Sequence, residues 1–342
     1  METLINSLQP HHAFAVTHTS DIAAARRAGQ RMAAAIGMDE TRSGKLALLI
    51  SEAATNILKH AVDGLLFLSE VRRGEARGID VVALDRGPGI GNLANALRDG
   101  VSSVGTAGTG LGAMRRLADE FDAYAPRDKG AAFFMRLWNG AGPPSRSPLA
   151  VGALCIPIAG EEENGDAWAV APLRNGVALM SVDGLGHGAD AALAAGAALS
   201  TLAARPALAP AAQIEACHQA MRATRGAAMA VAQLDFGNDE LRFAGIGNIS
   251  ACIIDGPGRK QMVSHNGIVG HNMRKVQEFA HPCPPGALIV LHSDGIGTGW
   301  DLAGYPGLSS CNPALVAAVL LRDFGRARDD ASVLVVRYVG HG

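Results

Sequence analysis

The sequence has little charge and few aromatic residues. Charged residues make up 18% and aromatic residues 4% of its 342 residues, and the formal net charge is -2. This balance provides no basic surface for nucleic acid, no acidic tail and no disordered polar composition. We therefore expect its partners to be proteins or small molecules, and not nucleic acid.

The sequence is also poor in cysteine and in long apolar runs. Its five cysteines are widely spaced and include no Cys-x-x-Cys pair, which argues against a disulfide framework or a zinc ribbon and fits a reducing compartment. No segment offers about 18 consecutive apolar residues, and no basic region followed by an apolar run stands at the N-terminus. We predict a cytoplasmic protein that does not associate with a membrane.

The length of 342 residues exceeds that of one typical domain. Residues 139–148 read Asn-Gly-Ala-Gly-Pro-Pro-Ser-Arg-Ser-Pro, which is a turn-forming stretch without apolar periodicity. We therefore predict an N-terminal extension at residues 1–20, a first domain at 21–138, a linker at 139–148 and a second domain at 149–342.

A helical apolar pattern over about residues 41–60 carries a polar pair. Glu52 and Asn56 lie four residues apart, on one face of this helix. A carboxylate and an amide oxygen so placed can hold a water, a hydroxyl or a hydrated Mg²⁺. The alternative is that Asn56 hydrogen-bonds locally and Glu52 is solvated.

A buried-strand pattern at residues 79–84 leads directly into Asp85-Arg-Gly87-Pro-Gly89. Glycines let a backbone approach a planar ligand closely, and Asp85 could accept a hydrogen bond from an exocyclic amine such as that of adenine. A glycine-containing turn without a ligand explains the same residues.

A glycine-rich segment at residues 105–112 precedes a helix predicted at 113–120. Its backbone N–H groups and the helix N-terminus can face phosphate oxygens. No Gly-Lys-Ser/Thr follows and no strand immediately precedes, so the segment is neither a Walker loop nor a Rossmann turn.

The order of these three motifs is specific. Glu52-x-x-x-Asn56, Asp85-x-Gly87-x-Gly89 and Gly108-x-Gly110-x-Gly112 resemble the N, G1 and G2 boxes of the histidine-kinase-like (GHKL) ATPase fold. Within that fold the chain is most similar to the small serine/threonine switch kinases of anti-sigma-factor pathways. The similarity covers roughly residues 21–138.

The resemblance implies a role for each motif. Glu52 would take the proton from the attacking hydroxyl, Asn56 would bind the Mg²⁺ that bridges to the phosphates of ATP, and Asp85 would fix adenine. Residues 105–112 would form the lid over the phosphates. The remaining nucleotide-binding residues that the resemblance implies are Gly87, Gly89, Gly105, Thr109, Gly110, Leu111 and Gly112.

The second half combines many strand patterns with helices at residues 189–204 and 313–324, which predicts an α+β sandwich. Acidic residues stand at strand ends in Asp183-Gly184, Asp294-Gly295 and Asp329-Asp330. Carboxylates collected in this way can hold hard divalent ions, and two such ions can generate a hydroxide and bind a phosphoryl group. The alternative is three acidic turns in unrelated loops.

Together with Gly165-Asp166 and Val182-Asp-Gly-Leu-Gly-His187-Gly, these acidic motifs resemble the type 2C fold of metal-dependent protein phosphatases, closest to the stage II sporulation protein E-like branch. The similarity covers roughly residues 149–339. The resemblance implies two Mn²⁺ or Mg²⁺ ions, with Asp330 as an alternative ligand in place of Asp329. The implied metal-binding groups are Asp183, Asp294, Asp329, the Gly184 carbonyl and Asp166 as an outer or additional acidic group.

The resemblance also implies that Asp183 and Asp294 lie at the catalytic centre. His187 is a candidate general acid, but its spacing differs from that of the histidine in the eukaryotic enzymes. The turn at residues 245–250 matches a turn common in this branch, and we interpret it as structural.

The predicted fold class is therefore α+β, with an N-terminal histidine-kinase-like ATPase α/β sandwich and a C-terminal type 2C phosphatase α/β-β/α sandwich. The predicted function is reversible serine/threonine phosphorylation of a STAS-domain antagonist or scaffold, which would act indirectly on a sigma factor or an output enzyme. One alternative is an ATP-binding module that sequesters a partner, and another is that ATP gates the phosphatase. The sequence neither predicts nor excludes a homo-oligomer.

Overall fold

Helices and strands follow one another along both halves of the chain. The computed structural model describes residues 5–6, 11–97, 110–143 and 147–340. The elements of the first half are β1 (Ile5–Asn6), β2 (His12–Ala15), α1 (Thr19–Ala35), α2 (Glu40–His60), β3 (Leu65–Arg73), β4 (Ala76–Asp85), α3 (Leu93–Ala96), α4 (Gly110–Leu117), β5 (Glu120–Tyr124) and β6 (Ala131–Trp138).

The second half is richer in strands. Its elements are β7 (Leu149–Ile156), β8 (Asp166–Leu173), β9 (Gly176–Gly184), α5 (Ala189–Ala204), α6 (Pro210–Ala220), β10 (Ala227–Asp235), β11 (Glu240–Ile246), β12 (Ser250–Asp255), β13 (Gly258–Met262), β14 (Phe279–Pro282), β15 (Leu288–His292), α7 (Pro313–Phe324) and β16 (Ala331–Tyr338).

The chain divides into two units. The N-terminal unit comprises His11–Ser145 and Ser310–Arg322, and the C-terminal unit comprises Met1–Pro10, Arg146–Ser309 and Asp323–Gly342. Both combine helices with antiparallel sheets, so the predicted α+β class is confirmed. The segment predicted as an extension contributes β1 to a sheet of the C-terminal unit and β2 to the sheet of the N-terminal unit.

The N-terminal unit is built on a five-stranded sheet in the order β2-β3-β4-β6-β5. Alternate residues of β4, such as Val81 and Ala83, belong to the same buried cluster as Leu49, Ile50 and Ala53 of α2. Because strand side chains alternate between the two faces, this pattern defines the face on which α1 and α2 pack. The core fixes α2 against the sheet and thereby positions the polar residues that it carries.

Helices α1 and α2 approach each other closely. A Cβ atom at Gly29 of α1 would lie 2.2 Å from Cδ1 of Ile50 on α2, so a larger residue there would require the Ile50 side chain to move. Helix α2 begins after Asp39, whose side chain accepts a hydrogen bond from the Arg42 amide at 2.7 Å. This cap explains why the helix starts one residue before the predicted position.

The C-terminal unit contains a six-stranded sheet in the order β1-β8-β9-β10-β11-β14 and a five-stranded sheet in the order β13-β12-β15-β16-β7. One buried cluster joins residues of both sheets, for example Leu179 of β9 and Leu291 of β15. A second cluster joins the six-stranded sheet to α5 and α6 through residues such as Met180 and Leu199. The acidic motifs lie at strand ends of this layered core.

Several elements differ from the prediction. Helix α4 runs from Gly110 to Leu117 and not over 113–120, because buried Gly112 and Met114 pack it against α2 and this contact outweighs the low helix propensity of glycine. Residue Glu120 instead begins β5. Strands β5, β13 and β14 and helix α6 were not predicted, since none of them has a strong apolar alternation or stripe.

Helix α7 is buried on all sides, from Pro313 through Arg322. It follows Asn312, whose backbone N–H donates a hydrogen bond to Oδ2 of Asp122 on β5 at 2.6 Å. Its residues up to Arg322 belong to the N-terminal unit, and its last two residues belong to the C-terminal unit. Helix α7 is therefore buried along most of its length.

None of the helices in residues 11–97, 110–143 and 147–340 is long and apolar enough to cross a membrane.

A buried ion pair lies on the sheet of the N-terminal unit. The Arg136 guanidinium of β6 donates to both carboxylate oxygens of Asp80 on β4, at 2.6 and 2.7 Å, and Arg136 is 8% exposed. The two residues are direct partners in the β4–β6 ladder. Because the pair is bidentate and largely removed from water, losing one partner would leave an uncompensated charge.

We predict that Arg136→Met destabilises the N-terminal unit by about 3–5 kcal/mol, because Asp80 stays buried without its cation. Urea unfolding of the full chain, followed by tryptophan fluorescence, measures the loss. The control is Arg72→Met, which removes the more accessible of the two arginines that pair with Glu70 while Arg77 remains bound to it, and it should cost at most about 1 kcal/mol. Similar losses in the two variants would contradict the buried-pair interpretation.

Candidate functional sites

Helix α2 presents Glu52 and Asn56 at the edge of the N-terminal core. Both side chains are half-buried, whereas the intervening Ala53 and Ala54 are buried. A Cβ atom at Gly110 would lie 3.7 Å from Oε2 of Glu52, so the Glu52 carboxylate faces the first residue of α4. The structure therefore brings the predicted base together with the start of the helix that follows the glycine-rich segment.

Asp85 ends β4 in a turn that its own side chain stabilises. Its Oδ1 accepts hydrogen bonds from the amides of Gly87 at 2.6 Å and Ala131 at 3.3 Å. Burial raises the pKa of Asp85, although the two amide hydrogen bonds oppose the rise. Gly89 has a φ of +70°, and a Cβ atom there would lie 2.0 Å from the Pro126 carbonyl oxygen. The turn thus requires glycine for its own geometry, whether or not a ligand binds.

The predicted phosphate lid lies only partly within the described residues. Gly105 and Thr109 lie outside them, whereas Gly110, Leu111 and Gly112 form the first turn of α4. The N-terminus of an eight-residue helix therefore stands beside Glu52, and the helix dipole favours negative charge at that end.

Strand pairing places two of the predicted acidic residues opposite each other in the C-terminal unit. Asp166 of β8 and Asp183 of β9 are direct partners in the antiparallel ladder. The Gly184 amide donates to the Gly165 carbonyl at 3.0 Å. A Cβ atom at Gly184 would lie 2.3 Å from the Ala191 carbonyl oxygen. The backbone at Gly184 is therefore held close to α5, where no side chain would fit.

Asp329 and Asp330 have different surroundings. Both oxygens of buried Asp330 are engaged, since Oδ1 accepts from the Ile158 amide and Oδ2 from the Gly165 amide, each at 2.7 Å. Burial raises the pKa of Asp329, and the neighbouring charge of Asp294 adds to the rise. Asp330 therefore stabilises loops, whereas Asp329 is the member of the pair that faces another predicted ligand.

The carboxylates share one electrostatic neighbourhood. Burial, followed by the charges of Asp166, Asp294, Asp329 and Asp330, raises the pKa of Asp183 to about 8. Burial likewise raises the pKa of Asp166 to about 7, with a contribution from Asp330. Because each carboxylate disfavours ionisation of the others, a bound cation would relieve the repulsion.

The donor set fits a hard divalent cation. Its candidate ligands are carboxylate oxygens, and Asp166 Oδ2 is buried without a hydrogen-bond partner among the described residues. In the same part of the chain, no three His, Cys, Asp or Glu side chains lie close enough to hold one ion. The structure thus gathers the carboxylates without closing a full coordination shell around one point.

Two contacts near this site were not predicted from the sequence. Asn248, in the turn interpreted as structural, donates its side-chain amide to Oδ2 of Asp294 at 2.6 Å. The Nδ1 atom of His187 lies 2.8 Å from Oε1 of Glu161, and both of these side chains are accessible to solvent. Neither contact has a local sequence signal, because its partners lie 46 and 26 residues apart.

Both halves of the chain match known protein families. Residues 15–137 match the histidine kinase-like ATPase domain, and residues 174–339 match stage II sporulation protein E. The serine/threonine-protein kinase RsbT of Bacillus subtilis strain 168 is 32% identical over 118 residues, which are 34% of this chain and 89% of that protein. The fusion indicated by the sequence motifs is confirmed.

Solved structures are also similar. A chain from a structure of the bacterial stressosome, described as a modular system adapted to control secondary messenger signalling, is 30% identical, covers 55% of this chain and 99% of its own length, and has a TM-score of 0.52. The RsbU and RsbW domains of a Mycobacterium tuberculosis protein match with 18% identity over 57% of this chain and 61% of that one, with a TM-score of 0.47.

We predict that the metal-free protein loses stability as the pH rises from about 4 to about 8. The folded state raises the pKa of Asp183 from 3.8 to about 8, so it keeps a proton that the unfolded chain releases over this range. This contribution is fully present below pH 3.8 and is lost as the pH passes about 8. Asp183→Asn cannot ionise and should lose less stability over the same range.

Thermal unfolding in EDTA between pH 5 and pH 8.5 measures this difference. The exposed Asp255 provides the control, because Asp255→Asn should follow the wild type. Parallel pH profiles for Asp183→Asn and the wild type would contradict the raised pKa.

Proposed function

Because the chain belongs to the family of the serine/threonine-protein kinase RsbT and joins a histidine kinase-like ATPase domain to a stage II sporulation protein E domain, we propose that it both phosphorylates and dephosphorylates a serine or threonine of a protein partner. The main support is the location, in each unit, of the acidic residue that the proposed chemistry requires. These residues are Glu52 beside α4 and Asp183 within the carboxylate cluster.

In the N-terminal unit, Glu52 is the proposed base for the attacking hydroxyl. Asn56 would hold Mg²⁺, and Asp85 would hold adenine through the carboxylate oxygen that its turn leaves unused. Mg²⁺, when bound with ATP, offsets phosphate charge during transfer. The position of Glu52 beside the N-terminus of α4 supports catalysis over nucleotide binding alone, because a carboxylate near phosphate is unfavourable for binding unless it accepts a proton.

In the C-terminal unit, Asp183, Asp294 and Asp329 are the proposed ligands of two Mn²⁺ or Mg²⁺ ions. The Gly184 carbonyl and Asp166 would complete the protein's share of the site. Such ions, when bound, lower the pKa of water and offset the charge on a phosphoryl group. The engagement of both Asp330 oxygens by backbone amides supports Asp329 over Asp330 as the ligand.

The proposed substrate is a STAS-domain protein, an antagonist or scaffold of a partner-switching pathway. The support is kinship with RsbT and with a chain of the stressosome, together with the two opposed activities in one chain. A sigma factor or an output enzyme would be affected indirectly through that partner.

A second candidate function, gating of the phosphatase by nucleotide, is favoured by helix α7. Within the N-terminal unit, Nη1 of Arg322 donates to the Asp85 carbonyl at 3.0 Å, and the Arg86 guanidinium donates to the Arg322 carbonyl. Two residues later, in the C-terminal unit, the Phe324 carbonyl accepts from the Gly297 amide at 2.8 Å. Gly297 lies three residues after Asp294, so one short stretch of chain joins the proposed adenine site to the proposed metal site.

We predict that the full chain first labels and then unlabels a STAS-domain protein encoded beside it, when incubated with γ-labelled ATP, Mg²⁺ and Mn²⁺ and then chased with unlabelled ATP. Glu52→Gln should label at least about 100-fold more slowly, because the base is lost. Asp183→Ala should label normally and retain the label. Glu40→Gln, at the exposed start of the same helix, is the matched control.

Each half of the proposal can fail separately in this time course. Labelling by Glu52→Gln at the wild-type rate would remove the kinase assignment. Loss of label in Asp183→Ala at the wild-type rate would remove the phosphatase assignment.

For the gating function, we predict that ATP changes phosphatase turnover in the wild type and that Arg322→Met reduces this effect at least about fivefold, which is the size of a modest allosteric coupling. Turnover of a phosphorylated STAS-domain protein, with and without ATP, measures the coupling. Arg72→Met should respond like the wild type. An unchanged response in Arg322→Met would exclude coupling through this contact.

A further inference from the structure

Asn248 makes a directed contact with the proposed metal site. Its Nδ2 donates to Oδ2 of Asp294 at 2.6 Å. Asn248 itself is exposed and lies between strands β11 and β12. Neither the sequence motifs nor the proposed mechanism gives it a role. The contact engages one of the two carboxylate oxygens of Asp294.

Strand pairing brings the turns that carry Asn248 and Asp294 together. Ser250 of β12 pairs with His292 of β15 in an antiparallel ladder. Asn248 lies two residues before Ser250, and Asp294 lies two residues after His292. Both residues therefore stand at the same end of this ladder, where their side chains form the hydrogen bond.

The turn that carries Asn248 is tightly constrained. Gly247 has a φ of +91°, and a Cβ atom there would lie 2.4 Å from Cβ of Ala228. The Gly247 amide also donates to the His265 carbonyl at 2.8 Å. Ala228 is the β10 partner of Asp183, so the turn packs directly against the residue paired with another proposed ligand.

An asparagine amide suits this position chemically. It donates a hydrogen bond to a carboxylate and adds no charge, so it orients Asp294 without competing with a cation as a lysine would. Hydrogen bonds to ligating carboxylates commonly control metal affinity.

We propose that Asn248 is a positioning residue for the divalent-metal site, fixing the Asp294 carboxylate so that Oδ1 is presented to the ion. This inference rests on the proposed phosphatase function of the C-terminal unit. It assigns a role in metal binding to a turn that the sequence indicated only as structural.

The test is calorimetric titration of Mn²⁺ into the full chain without nucleotide. Asn248→Leu keeps the approximate size but removes the donor, and Mn²⁺ affinity should fall about 10–100-fold. Asn248→Gln restores an amide and should recover part of the loss. Asn238→Leu is a close control, because Nδ2 of Asn238 donates to Oδ2 of Asp235 at the same 2.6 Å on an exposed turn of the same unit.

The outcomes separate this inference from the proposed function. Wild-type affinity in Asn248→Leu, or an equal loss in Asn238→Leu, would overturn the role of Asn248. Undiminished Mn²⁺ binding by Asp183→Asn would instead overturn the proposed metal site itself, and the Asn248 assignment with it. Thermal unfolding in EDTA verifies that each variant is folded, and Asn248→Ala replaces the leucine variant if that one is not.

Discussion

Backbone pairing holds like-charged carboxylates together in the C-terminal unit, and the proposed chemistry of that unit depends on this constraint. Asp166 and Asp183 face each other because the β8–β9 ladder sets their register, so neither can move away without breaking hydrogen bonds of the sheet. Burial and mutual repulsion raise the pKa of both groups. Such an arrangement weakens a metal-free fold, which makes a ligand-binding role a better explanation for it than a structural one.

The proposed site of the N-terminal unit has different electrostatics. The proposed nucleotide site would have to accept a polyphosphate, and the N-terminus of α4, which favours negative charge, lies beside Glu52. One oxygen of Asp85 accepts hydrogen bonds from the Gly87 and Ala131 amides within its own turn. The proposed sites of the two units would therefore suit ligands of opposite charge, anionic in the first unit and cationic in the second.

Elements with regular burial could be predicted from the sequence, whereas elements that depend on a partner strand or helix could not. The apolar runs at residues 131–138 and 331–338 predict two buried strands, and β6 and β16 have these bounds and are buried nearly throughout. Strand β13 reads Gly-Arg-Lys-Gln-Met, with four exposed residues, and exists because it pairs with β12 at a sheet edge. Helix α4 begins in glycines that favour a turn in isolation. In each failure a nonlocal contact outweighs a local preference.

The same distinction applies to the candidate metal site. Asp183, Asp294 and Asp329 are candidate ligands because each stands beside a strand pattern, but the same local signal applies to Asp330 as to Asp329. The two residues differ in their nonlocal contacts, because Asp330 accepts hydrogen bonds from the Ile158 and Gly165 amides, whereas the charge of Asp294 acts on Asp329. The contact of Asn248 with Asp294 has no local signal at all, since it joins turns 46 residues apart that follow or precede paired strands. The proposed ligands thus stand in local motifs, whereas the residue proposed to orient one of them depends on contacts across the fold.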